Sequence, residues 1–215
     1  MTPPNPPNPS RRSEASRRAI LDATVTLIGE SGYDDVSIEA IAAAAGVGKQ
    51  TIYRWWPSKG AVVLEALDDS LLKVVEFPDT GDLVEDLRTQ MHGVTRLLSS
   101  RQIGRLYQGL LAAAQCDPEL SRAHLDQLIE PATVAGRERI ARAVERGEVR
   151  DDVDVQTLID LLYGAIYYRL LLHTRPLTLD QIDEALEITF NGARPKRRVP
   201  ASPRKRKSTK RDASS

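Results

Sequence analysis

Residues 37–59 read SIEAIAAAAGVGKQTIYRWWPSK, and the glycines at 46 and 48 divide that run into two helical pieces. Ser37 is an N-cap residue ahead of Ile38, Ile41, Ala42 and Ala45, whose spacing places four apolar side chains on one helical face. Gly46 stops this helix after about two turns, because glycine enters the left-handed C-cap conformation without penalty. A second short piece, Lys49 to Trp55, follows Val47 and Gly48 and is broken by Pro57. Two short helices joined by a tight glycine-containing turn predict a helix-turn-helix, in which the first helix braces and the second enters the major groove of DNA.

The chemistry of the second helix suits that use. It exposes Lys49, Gln50, Thr51, Tyr53 and Arg54, all hydrogen-bond formers, and leaves Val47 and Ile52 to face the protein. Glutamine can read an adenine edge with two bonds, Lys and Arg reach guanine or phosphate, and Thr and Tyr hydroxyls bond phosphates. Lys59, in the first turn of the next helix, sets a cation beside amides that already attract phosphate. Trp56 is assigned to packing.

Outward from this stretch the pattern is helical throughout, so the fold class is all-α. Ile20, Ala23, Leu27 and Ile28 share a stripe that ends at Gly32, predicting a first helix over 13–31. Ser58 caps a helix over 59–76 that carries Val62, Val63, Ala66, Leu67 and Leu71 and ends before Pro78. Leu83, Leu87, Met91, Val94 and Leu98 form one further stripe, and Ile103, Leu106, Leu110 and Leu111 another. Asp117 and Pro118 open a helix that should kink or restart at Pro131 and run to Gly147. Asp154 caps a helix to His173 that is apolar nearly all the way round, and Thr178 caps the last one.

Composition sets limits on function. The chain has 215 residues, 30 basic against 30 acidic, and a formal charge of zero. That zero is a cancellation: residues 1–60 carry a net +1, residues 61–193 a net −10 and residues 194–215 a net +9. Such segregation suggests a nucleic-acid partner. One cysteine, Cys116, excludes an internal disulfide and a thiolate metal clip. No run approaches the roughly 18 to 20 apolar residues of a membrane span, and the proline-laden start has no signal-peptide core, so no membrane partner and a cytoplasmic, nucleoid-associated location are expected. With no acid pair at a telling spacing, no glycine-rich phosphate loop and scattered histidines at 92, 124 and 173, no enzyme activity, metal or cofactor is expected. Five prolines within the first nine residues predict a disordered leader over 1–10, and Pro, Ser, Lys and Arg predict a disordered basic tail over 194–215.

The order Gly32-Tyr33, Ser37-Ile38, Ile41-Ala42, Ala45-Gly46-Val47, Thr51-Ile52-Tyr53 and Ser58-Lys59 resembles the DNA-binding head of TetR-family transcriptional regulators over about 50 residues. The resemblance implies an N-terminal three-helix head over 11–59, a linking helix over 59–76, and a C-terminal helical ligand-binding and dimerisation domain over 77–193, about nine helices in all. It implies DNA contacts at Ser37, Lys49, Gln50, Thr51, Tyr53, Arg54, Trp55 and Lys59. Gly48 stands where many relatives have serine, so a hydroxyl contact is missing there. Arg11, Arg12, Arg17 and Arg18 could add phosphate contacts.

By the same resemblance the chain is a homodimer through helices 155–173 and 179–191, its two heads spaced about 34 to 36 Å apart on a palindromic operator. The surplus of apolar faces on 155–173 points the same way. A small-molecule effector would enter a mostly apolar pocket, for which the polar or polarisable residues Met91, His92, Tyr107, Gln108, Cys116, Tyr163, Tyr167 and Tyr168 are candidates. The function implied is a sequence-specific regulator, a repressor released from its operator by the effector. The alternative is a helical architectural or protein-interaction module that coats DNA through the basic tail.

Overall fold

Five helices start from a polar residue in extended backbone whose side-chain oxygen accepts an N–H of the first turn. Ser37 accepts from Ala40, Asp82 from Glu85, Ser100 from Ile103, Asp117 from Glu119 and Leu120, and Asp154 from Thr157. These caps set the boundaries in a computed structural model that describes residues 9–71 and 77–193, with side chains placed for 13–68 and 77–191. Most of the leader, residues 72–76 of the linking helix and the basic tail 194–215 lie outside the described residues.

The order is α1 (Pro9–Ser31), α2 (Ile38–Ala44), α3 (Lys49–Tyr53), α4 (Lys59–Leu71), α5 (Leu83–Ser99), α6 (Arg101–Ala114), α7 (Pro118–His124), α8 (Glu130–Glu145), α9 (Val155–Leu172) and α10 (Leu179–Ala193). A π turn, Leu125–Ile129, joins α7 to α8. There the N–H of Glu130 reaches back five residues to the carbonyl of Leu125. Pro131 has no N–H and its ring crowds the preceding turn, so the helix widens just before it instead of breaking. Counting α7, the π turn and α8 as one rod, the described residues hold nine, and every regular element among them is helical. No described helix is long and apolar enough to cross a membrane.

Two boundaries near the N-terminal end differ from expectation. α1 begins at Pro9, not Ser13, which takes the last two residues of the expected disordered leader into the helix. Proline is tolerated in a first turn, where its absent N–H would have had no partner. α3 ends at Tyr53, two residues short of Trp55: the N–H groups of Trp55 and Trp56 both turn back to the carbonyl of Ile52.

One continuous core runs through the described residues. In the head and the start of α4 it holds Ile20, Ile28, Ile41, Ile52, Trp56 and Val62; beyond, Leu87, Met91, Leu106, Leu110, Leu162, Ile166 and Leu186 extend it. α6 packs against α1 and α4 as well as α5, α7 and α9, so it belongs to both ends of the molecule. At Gly109 of α6 an added Cβ would stand 2.3 Å from the Cβ of Tyr33, so this close approach needs a glycine.

A buried ion pair fixes the turn before α5. Asp86 and Arg139 are both fully buried. Asp86 accepts from the Arg139 Nε at 2.7 Å, from the Thr80 hydroxyl at 2.7 Å and from the Thr80 N–H at 3.2 Å. Asp79 meets Arg146 at 2.7 Å and Arg142 at 3.0 Å, and Arg146 beside it holds its carboxyl below the usual range. Glu148 accepts the N–H of Leu83 at 2.8 Å. Together these bonds lock residues 79–83 onto α8 and the turn that follows it. Removing one partner leaves a buried charge uncompensated, so Asp86→Ala should lower the unfolding free energy in urea by about 3–5 kcal/mol. A loss below about 1 kcal/mol, the range of exposed pairs, would contradict that role.

Candidate functional site

The turn between α2 and α3 is built by backbone bonds. Gly46 has φ +66°, its N–H bonds the carbonyl of Ala43, and the N–H of Val47 reaches the carbonyl of Ala42 at 2.9 Å. This is a Schellman cap, and a side chain at Gly46 would cost roughly 1–2 kcal/mol of left-handed strain. The cap sets the angle at which α3 leaves α2.

Ile52 is fully buried and clamps α3 onto the head, and Val47 packs beside the core. Lys49, Gln50, Tyr53 and Arg54 are exposed on the opposite side, and Thr51 is half-buried. Lys49 lies 3.5 Å from Glu39 of α2, an exposed pair that a phosphate can readily outcompete. The Arg54 guanidinium sits 5.1 Å from the centre of the half-buried Trp55 ring, which orders the arginine. Trp56 is buried with its indole N–H donated to Glu65, in agreement with a packing role. Ser37 is exposed, although its hydroxyl already accepts from Ala40.

Lys59 is placed differently from a free phosphate-binding cation. Its ammonium donates to the carbonyls of Tyr33 at 2.6 Å and Val36 at 2.9 Å and lies 4.0 Å from the Tyr33 ring centre. Burial lowers its pKa. Two of its three protons therefore brace the loop entering α2. Arg17 is bound to Glu65 and Glu14, and Arg18 forms an exposed pair with Asp22; the side chains of Arg11 and Arg12 lie outside the described residues.

A second feature lies among α5, the π turn, α8 and α9. It is a cavity of about 320 Å³ walled by Phe77, Leu87, Val94, Leu98, Leu128, Ile129, Ile140 and Ile159. Gln90, Tyr107, Thr133, Gln156, Asp160, Tyr163 and Tyr167 supply its polar groups. Asp160 and Gly164 are exposed and mark the mouth. The Tyr107 hydroxyl is 2.8 Å from that of Tyr167 and 3.1 Å from His124 Nε2. Tyr163 donates to Gln90. Burial raises the pKa of all three phenols, so they stay protonated.

Of the candidates from the sequence, the structure brings Tyr107, Tyr163 and Tyr167 to the cavity. The other five do not line it. Met91 is fully buried core; His92 bonds Asp183 at 3.0 Å; Gln108 bonds the carbonyl of Leu170 at 2.8 Å; Cys116 and Tyr168 are exposed. Gln90, Thr133, Phe77 and the supporting His124 were not legible as a group, because they come from separate parts of the chain without a shared spacing.

His124 gives a pH signature. Burial holds its pKa below the ordinary 6.5, so the unfolded chain takes up a proton first as the pH falls. The stability carried by the neutral ring is present above 6.5 and is lost toward its lower folded value. The thermal stability of the native chain should therefore fall more than that of His124→Gln between about pH 7.5 and pH 5.5. Equal losses in the two proteins would contradict this.

Two family models match the chain: bacterial regulatory proteins of the tetR family over residues 20–66, and the tetracyclin repressor-like C-terminal domain over residues 77–189. The chain is 35% identical over 174 residues to the uncharacterized HTH-type transcriptional regulator YdeS of Bacillus subtilis, covering 81% of this chain and 85% of that one. It is 34% identical to the DNA-binding transcriptional repressor TetR of Mycobacteroides abscessus over 163 residues, 75% of this chain and 85% of the relative. Among solved structures, the TetR family transcription regulator SCO0332 superposes with a TM-score of 0.69 at 34% identity, covering 84% of this chain and 99% of that one. With its helix-turn-helix in place and both models matched, this chain belongs to the TetR family of DNA-binding transcriptional regulators.

Proposed function

We propose that the chain is a homodimeric repressor that binds a palindromic operator through α3 and leaves it when a small molecule occupies the cavity. The observation that carries the reading is α3 itself: Ile52 is buried while Lys49, Gln50, Tyr53 and Arg54 are exposed on the outward side. In this assignment Gln50 and Arg54 read base edges, Lys49, Thr51, Tyr53 and Ser37 bond phosphates, and Trp55 supports Arg54. Lys59 contacts phosphate only through the proton its two carbonyls leave over. The head over 11–59 recognises DNA, and residues 77–193 hold the effector and the partner. The protein then works in the cytoplasm, where operator DNA is.

The dimer reading rests on a stripe without cover. Leu161, Gly164, Tyr168 and Leu171 recur along α9 at spacings of three and four, and all are exposed, Leu161 by 61% and Tyr168 by 58%. Ile188 of α10 is 74% exposed. Apolar side chains concentrated on one such seam mark a protein interface, and a second copy of the same pair of helices matches it by two-fold symmetry.

DNA recovered by the purified chain from random fragments should yield a palindrome. Unrelated DNA should compete on the order of 10³-fold less well at physiological salt. Gln50→Ala should cost about 1–3 kcal/mol on that site and relax one position in each half. Sedimentation should give a dimer, and Leu161→Glu a monomer with weakened operator binding. Binding without sequence preference would favour DNA coating, and a monomeric native chain would sink the dimer.

A further inference from the structure

The cavity also specifies what it accepts. We infer that it takes a compact, uncharged, largely apolar molecule bearing a hydroxyl or carbonyl oxygen, and rejects anions of the same size. This deepens the effector reading above and rests on it for the regulatory consequence only.

Size comes first. About 320 Å³ lies at the low end of the roughly 300–1,000 Å³ of small-molecule sites, enough for a fused-ring compound. The walls are aliphatic and aromatic, so most of the occupant must be apolar.

The polar groups give the second part. Gln90 is 3% exposed, and its Oε1 is taken by the Tyr163 hydroxyl. Its Nε2 has no partner among the described residues, so two N–H donors are left for whatever fills the cavity. Tyr167 lines the same cavity, bonded to Tyr107 and through that to His124. A phenol held in such a chain can still accept or donate one further bond. An occupant oxygen that accepts from Gln90 and exchanges a bond with a tyrosine satisfies both.

Charge gives the third. Among the described residues no Lys or Arg lines the cavity, and Asp160 at its mouth is a carboxylate. Arg139 is flanked in sequence by the lining residues Gly136 and Ile140, but it is fully buried outside the lining, with its Nε and Nη2 paired to Asp86 and with Asp79 and Glu148 nearby. Arg137 is exposed and held by Gln156 and Glu130. His124 stays neutral behind Tyr107 because burial disfavours its charge. An anion would lose its water and gain no cation from the described lining in return.

Three probes on one ring system separate these features: 2-naphthol, naphthalene and 2-naphthoate, titrated calorimetrically into the full chain near neutral pH. 2-Naphthol should bind once per chain with a Kd on the order of 10⁻⁴ M or tighter, fitting so small a molecule. Naphthalene should bind about 2- to 10-fold more weakly for want of the hydrogen bonds. 2-Naphthoate should be at least ~10-fold weaker than 2-naphthol. Gln90→Leu should bring 2-naphthol to the level of naphthalene and leave naphthalene unchanged within about twofold. Gly136→Leu, whose side chain would grow toward Phe77 and Ile159, should abolish binding of 2-naphthol; Thr133→Phe serves if that variant fails to fold. The assignment is overturned if 2-naphthoate binds as well as 2-naphthol, if Gln90→Leu leaves the preference for 2-naphthol intact, if a cavity-filling variant that folds retains it, or if none of the probes binds. Binding of 2-naphthol that leaves operator affinity unchanged supports the ligand class and counts against the regulatory reading instead.

Discussion

Tyr33 lies between Gly109 of α6 and the ammonium of Lys59, so close to the former that a Cβ on residue 109 would stand 2.3 Å from its own. That contact joins the two ends of the molecule. On the head side, Lys59 ties the carbonyls of Tyr33 and Val36 and so fixes the loop that enters α2. On the other side, Tyr107 stands two residues before Gly109 on the same helix and lines the cavity. A packed interior shifts between discrete arrangements and does not deform smoothly, so α6 cannot tilt at Tyr107 without pressing on Tyr33. The proposed release of DNA needs such a route. An occupant changes operator affinity only by the difference in its own affinity for the two head arrangements.

The charge pattern fits the same division. The first 60 residues carry a net charge of only +1, and several of their cations are already paired. In the proposed reading, recognition by this head therefore depends on where Lys49, Gln50 and Arg54 are held, not on abundant charge. The −10 of residues 61–193 disfavours any approach of those helices to DNA, in keeping with the proposal that α3 is the face that docks. The buried pair of Asp86 and Arg139 serves a different end: it holds the turn at residues 79–83, just past Phe77 of the cavity wall.

Much of this was legible in the sequence, for local reasons. Caps such as Ser37, Asp117 and Asp154 act within three residues, so their spacing predicts helix starts directly. Gly46 announces the turn because few other residues accept its backbone. The excess apolar surface of α9 was visible too, and the structure sorts it into buried Leu158, Leu162 and Ile166 and exposed Leu161, Tyr168 and Leu171. What periodicity could not give was partnership across helices. It marked Lys59 as a phosphate cation without showing the carbonyls of residues 33 and 36 that claim it. It proposed eight cavity residues from side-chain type alone, and only the three tyrosines on the inner faces of α6 and α9 reach the space. The π turn was invisible as well, since Pro131 signals a disturbed helix but not whether the chain bends or widens.

The central claim is that two copies of this head read one symmetric site. Hydroxyl-radical footprinting of the full chain on a DNA segment it selects tests this most directly. Two symmetric protected patches, centred about 10–10.5 base pairs apart or a multiple of that, are the predicted result. A single asymmetric patch, or uniform protection along the fragment, would contradict it.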